Sequence, residues 1–134
     1  MAVPSPFIGF VLEVLGAWRP VTARRMFGGH GIYHQGLMFA LEAGGQLYFK
    51  VDDESRPDFL AAGLDPFVYE ARGRRVSLSY HRAPDAMLDK PDLAREWCER
   101  AWQAALRAQA LKARPSGQGV KIDKTARPIR PRKA

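Results

Sequence analysis

One cysteine, Cys98, among 134 residues excludes an internal disulfide and suits a reducing compartment, where thiols stay free. No apolar run reaches the ~18 residues that a membrane-spanning helix needs. The N-terminus lacks the positive, apolar and small-residue order of a secretory leader. Together these absences predict a cytoplasmic protein. Chemical signatures are missing too. The sequence has no serine, histidine and acid set, no isolated carboxylate pair and no cofactor fingerprint, so it reads as a non-enzyme without cofactors. The histidines, His30, His34 and His81, make a poor metal set. On one strand His30 and His34 would share a face but stand ~13 Å apart, farther than one zinc ion spans. Cys98 lies in a helical pattern beside Trp97, where a buried structural thiol is the expected role. The acidic run Asp52-Asp53-Glu54 lacks the alternating ligands and central glycine of a calcium loop, and a helix N-terminus accounts for it.

What the chain does have is a glycine-rich stretch, Arg24 to Tyr33, with Gly28, Gly29 and Gly31. Its spacing fits neither dinucleotide nor phosphate loops, and a β-type segment follows where a phosphate loop would open a helix. It reads as one strand, Val21 to about His34, bent or bulged at the glycines. The other elements follow from period and punctuation. Pro6 to Gly16 reads as a helix capped by Ser5, with Phe7, Ile8, Val11, Leu12 and Leu15 at helical spacing. Leu37–Glu42 and Gln46–Val51 read as strands joined by glycine turns. A short helix follows, with Ser55 and Asp58 at capping-box spacing, Phe59 and Leu60 turned inward, and a stop at Gly63. Phe67–Ala71 and Arg75–Arg82 form a hairpin. In its second strand Val76, Leu78 and Tyr80 alternate with Arg75, Ser77, Ser79 and His81. A long helix runs from Pro91 to about Leu111 and buries Leu93, Trp97, Ala101, Ala104 and Ala108, widened by Trp102 and Leu106. The order α-β-β-β-α-β-β-α predicts a two-layer α+β domain with its helices on one face of an antiparallel sheet. Alternation turns Met38, Ala40, Gln46, Tyr48 and Lys50 to the other face, either solvated or a homodimer or partner surface.

Charge is unevenly distributed. The chain carries 21 basic and 14 acidic residues, a net +7. Residues 112–134 hold eight of the cations against Asp123, leaving thirteen basic and thirteen acidic residues for 1–111. The domain is therefore placed at 1–111 and a flexible basic tail at 112–134. Tail cations such as Lys121, Lys124, Arg127, Arg130, Arg132 and Lys133 can follow a phosphate backbone and release counterions. With no aromatic residue and no amphipathic face, the tail fits neither base stacking nor a membrane surface. Arg24, Arg25, Arg72, Arg74 and Arg75 form a second basic set at strand or turn positions, either solvated or converging on phosphate or an acidic protein.

Met26-Phe27-Gly28-Gly29-x-Gly31-x-Tyr33, Gly36-x-Met38-Phe39-Ala40 and Leu47-Tyr48-x-Lys50-Val51-Asp52 resemble the N-terminal domain of the TfoX/Sxy competence regulators. The likeness continues through Phe59, Gly63, Pro66-Phe67-x-Tyr69, Gly73, Ser79-Tyr80, Pro84, Leu88 and Trp97, about residues 5 to 110 in all. His30 departs from it, standing where an aromatic or apolar residue is expected. The resemblance implies a secretion-chaperone-like arrangement of sheet and helices. It also implies a bacterial regulator that assists the cyclic-AMP receptor protein at competence promoters by protein contact. Full-length regulators of the family carry a second, helical domain where this sequence has its basic tail. A non-specific nucleic-acid-binding protein, for DNA or structured RNA, is the alternative that tail and arginine hairpin support.

Overall fold

The computed structural model describes residues 6–26, 28–71 and 73–112, with residues 69–71 and 74–78 described by backbone alone. The expectations for Ser5, Arg72 and residues 113–134 lie outside the described residues. The chain runs α1 (Pro6–Gly16), β1 (Thr22–Met26), β2 (Gly29–His34), β3 (Leu37–Ala43), β4 (Gln46–Lys50), α2 (Arg56–Ala61), β5 (Pro66–Ala71) and β6 (Arg74–Arg82). A 3-10 helix, Asp85–Asp89, then leads into α3 (Pro91–Lys112). This is the two-layer α+β fold, with one strand more than the sequence reading allowed.

The extra strand comes from the glycines. Met26 pairs with Gly29, so the chain reverses between them and β1 and β2 form a tight antiparallel hairpin. Gly28 takes φ 75°, the left-handed region in which a side chain costs ~1–2 kcal/mol. Gly29 is glycine for a different reason: a Cβ there would lie 1.9 Å from the Glu42 carbonyl oxygen on the next strand. The stretch read as one bent strand is thus a turn plus a point of close strand approach.

All six strands pair antiparallel in the order β1-β2-β3-β4-β6-β5. A bulge interrupts the β2–β3 ladder: Ile32 faces Ala40 and Tyr33 faces Met38, which leaves Phe39 as the extra residue. The bulge reverses the alternation beyond it. Phe39 and Ala40 both pack in the helix-side core, and Leu41 turns outward. Ala40, expected on the outer face, therefore lies on the inner one.

The helix-side core joins Ile8, Val11 and Leu15 of α1 to Ile32, Phe39, Leu47 and Phe49 of the sheet. Trp97, Cys98, Ala101 and Trp102 close it from α3, which packs across β3 and β4. Each fully buried Phe or Leu contributes ~1.5–3 kcal/mol relative to exposure. The short helix α2 gives Phe59 to this core, whereas Leu60, expected to point inward, is 59% exposed. One turn of helix has room for one inward anchor. The helix ends at Gly63, φ 74°, where Gly63 N–H donates to Leu60 O and Leu64 N–H to Phe59 O, a Schellman closure.

The capping box sits three residues earlier than its expected place. Asp52 N–H donates to Ser55 Oγ and Ser55 N–H donates to Asp52 Oδ1, while Arg56 N–H reaches Asp52 O. Ser55 makes no side-chain cap bond of its own to α2. The Asp52 carboxylate also receives Arg107 of α3, Nε at 2.6 Å and Nη2 at 3.1 Å. This pair pins the start of α2 to the last third of α3.

Candidate functional site

Two surfaces stand out, one on each side of the sheet. The helical side has a cleft where the end of α1, the 3-10 helix and the start of α3 converge. Its walls are Val14, Trp18, Met87, Leu88, Pro91 and Ala94, with Ala17 at the margin and Asp89 and Arg95 as its polar members. The cavity measures about 140 Å³, the size of a single apolar side chain or small ring. Phe10 lies one helical turn before Val14 on α1 and is 41% exposed, so an apolar stripe leads into the cleft. Trp18 forms its inner wall and is fixed from behind. Its indole N–H donates to Glu99 Oε1 at 3.2 Å, and its ring meets Phe39 and Trp102. The Gln103 hydrogen bond first, then the Trp18 bond and the charges of Arg19 and His34, hold the Glu99 carboxyl below its usual range against the opposing effect of burial.

The other surface is the outer face of the sheet. Cross-strand pairing carries one row of residues across five strands: Arg24, Gly31, Leu41, Tyr48 and Arg82. Leu41, Phe67 and Tyr80 form a second buried cluster, with Met38, Ala43 and Tyr48 packed against it, and every member comes from a strand. Tyr48 and Phe67 meet edge to face at 4.7 Å. At one end Arg24 lies over the Tyr33 ring at 5.3 Å; at the other Lys50 lies over Tyr80 at the same distance. Met26 and Met38 fill the hollow above Gly31, where their sulfurs would come within 2.9 and 3.1 Å of a Cβ.

The electrostatics of this face are positive. Burial lowers the Lys50 ammonium pKa, Lys112 lowers it further and Asp52 opposes them, and the ammonium donates to Ser79 Oγ at 3.0 Å. Arg82 has Asp85 at 3.7 Å, and its buried Nε meets no acceptor among the described residues. Of the described strand side chains only Glu42 is a carboxylate. It is buried, tied to His30 Nδ1 at 2.9 Å and to the Gly45 N–H, and paired in the ladder with Leu47 of the helix-side core.

The predicted arginines are spread out. Arg24 and Arg25 are both exposed on β1. Arg24 pairs with Gly31 and points outward, whereas Arg25 pairs with His30 and points to the helix side. Arg74 and Arg75 begin β6, beside the turn at Gly73, with three strands between β6 and β1. The strands are roughly 19 Å apart at ordinary spacing, and Arg75 stands seven residues along β6 from Arg82, the residue in register with Arg24, which adds over ~20 Å. Arg72 and the tail residues Lys121, Lys124, Arg127, Arg130, Arg132 and Lys133 lie outside the described residues.

The structure gives the remaining candidates local partners. His34 Nδ1 lies 2.7 Å from the Pro20 carbonyl, among Trp18 and Trp102. His81 Nδ1 lies 2.7 Å from the Leu64 carbonyl, with its ring on Phe59. Burial, with Glu99 adding, pushes the Cys98 thiol up to about 12. Sequence reasoning missed Arg82 and the inward turn of His81. The clean alternation of β6 did carry the signal, since one face of that strand had to hold Tyr80 and the other His81.

The family model described as the TfoX N-terminal domain matches residues 13–105. No curated protein matches the chain.

Proposed function

The chain belongs to the TfoX N-terminal domain family, and from that premise we propose that it is a non-enzymatic co-regulator of transcription acting by protein contact. The observation that supports contact is the apolar cleft at Trp18, Met87 and Ala94, open beside an exposed Phe10. A partner fills such a cavity with one anchoring side chain, and Asp89 and Arg95 orient it by hydrogen bonds. By family resemblance the partner is the cyclic-AMP receptor protein or another component of the transcription machinery, in the bacterial cytoplasm. A purely contact-based role also fits the chemistry of the described side chains. Cys98 is a poor nucleophile with its thiol near 12, and His34 and His81 are held by backbone carbonyls.

The test is a pull-down from native extract with the full chain at ~0.3 M salt, where phosphate binding is largely screened. Wild type retains one specific protein and Ala17→Glu, which places a charge at the cleft mouth without touching the core, does not. Equal retention by both, or retention of nothing, sinks the cleft reading.

The charge partition favours a second reading beside the first. With the net +7 confined to residues 112–134, the tail binds duplex DNA weakly and without sequence preference. If about six cations contact phosphate, log K falls against log salt with a slope of roughly −5. Undiminished duplex binding by residues 1–111 would move that contact to the Arg74 and Arg75 hairpin.

A further inference from the structure

We infer that the outer face of the sheet is a stacking platform for single-stranded nucleic acid, with Tyr33 and Tyr48 receiving bases and Arg24, Lys50 and Arg82 receiving phosphates. Five strands carry the row from Arg24 to Arg82, a span of roughly 19 Å at ordinary strand spacing, enough for a few nucleotides. Single strands bind to surfaces that combine aromatic rings with a cationic track, because every base has a π-face and every linkage a negative charge. Both components are present here. Tyr33 and Tyr48 are half-buried, so each ring is held by the sheet while part of it faces outward. Arg24 lies over the Tyr33 ring and Lys50 over the Tyr80 ring, both at 5.3 Å, and the Lys50 ammonium also donates to Ser79 Oγ at 3.0 Å. A duplex conceals its base faces and gains nothing from these tyrosines.

Charge selects among the occupants. A second copy docked face to face about a two-fold axis would bring the Arg24 end of one row against the Arg82 end of the other. Like charges would then meet, offset only at the Arg82 end by Asp85 at 3.7 Å. An extended polyanion meets no such penalty.

The test is fluorescence anisotropy with the full chain and a labelled oligothymidylate of about 15 nucleotides, against a duplex of equal length at ~0.1 M salt. The single strand binds at least ~10-fold more tightly than the duplex. The double variant Tyr33→Leu/Tyr48→Leu keeps the apolar packing, loses ~10-fold or more for the single strand and leaves duplex binding unchanged. A second readout needs no variant. On titration with the oligothymidylate the methyl resonances of Met26 and Met38 shift, while that of Met87, on the helical side, stays. Equal affinity for the two nucleic acids, an unaffected double variant, or still Met26 and Met38 methyls overturns the proposal. So does competition by polyglutamate as effective as by the oligothymidylate, which would make the face a dock for acidic protein. Shifts of those methyls with protein concentration alone would make it a dimer surface and likewise overturn it.

Discussion

Gly29→Ala tests the strand geometry most sharply, because neighbouring glycines predict different costs. A Cβ at Gly29 would sit 1.9 Å from the Glu42 carbonyl oxygen, 2.9 Å from the Glu42 carbonyl carbon and 3.0 Å from the Ala43 Cα. All three are backbone atoms, so no side chain can swing aside. Relief needs β2 and β3 to part by roughly 1 Å, and a ladder hydrogen bond stretched that far from ~2.9 Å is lost. The pairs at risk are Gly29 with Ala43 and His30 with Glu42. Two lost bonds at ~1 kcal/mol each, with a similar penalty for the groups left unpaired, give about 3 kcal/mol. Gly28→Ala meets nothing within 4 Å and suffers only from its φ of 75°. It should lose about 1–2 kcal/mol. Urea unfolding followed by the fluorescence of Trp18, Trp97 and Trp102 measures both. At an m-value of ~1.5 kcal/mol/M the midpoint falls by about 2 M for Gly29→Ala and by about 0.7–1.3 M for Gly28→Ala. A Gly29→Ala midpoint within ~0.3 M of wild type, or a larger loss in Gly28→Ala, would refute the account of the glycine stretch.

Removing residues 112–134 leaves the thermal midpoint within a few degrees of wild type, since every described core residue precedes Lys112; a larger fall in a calorimetric scan would show the tail packing on the domain. Burial alone would raise the Asp52 carboxyl, but the Arg107 and Ser55 hydrogen bonds and the Arg107 charge outweigh it and hold it below its usual value. The sign is that of a depressed acid: stability present above the unfolded carboxylate pKa is lost as pH falls through the folded one. Asp52→Asn is thus destabilised at neutral pH in urea titrations, and its deficit shrinks as acid protonates the wild-type carboxyl; a deficit constant down to pH ~2 would refute the ion pair as its cause. Cys98, with its thiol near 12, reacts with a disulfide reagent at pH ~8 only after unfolding, and rapid native labelling would show the α3 core to be open.

The helices were legible in the sequence because each has a buried stripe with clear ends. Ile8, Val11 and Leu15 on α1, and Trp97, Ala101 and Ala104 on α3, are buried as their spacing indicates. What spacing could not show was where the strand phase changes. The extra residue at Phe39 moves Ala40 inward and Leu41 outward, and nothing local distinguishes Phe39 from the apolar residues on either side. The turn at Gly28 was hidden for a similar reason: three glycines admit a bend, a bulge or a hairpin, and the Glu42 carbonyl that decides among them lies thirteen residues after Gly29. Tyr48 and Met38 were placed on the outer face correctly. Lys50 was placed there with them, whereas Arg24 and Arg82 were not, because they come from separate strands and reach this face only through pairing.

The strand order also sets a timetable for assembly. β4 pairs on one side with β3, which immediately precedes it, but its other neighbour is β6, and Lys50 waits about thirty residues for Tyr80. During synthesis, four strands can zip together through short hairpins while the free edge of β4 stays open, carrying Phe49 and Val51 whose cover on α3 has not yet been made. That edge is a template for any other extended chain until β6 enters it. A fragment ending after β4 should therefore aggregate, and full-length refolding should slow as protein concentration rises, with β6 insertion as the step that ends the exposure.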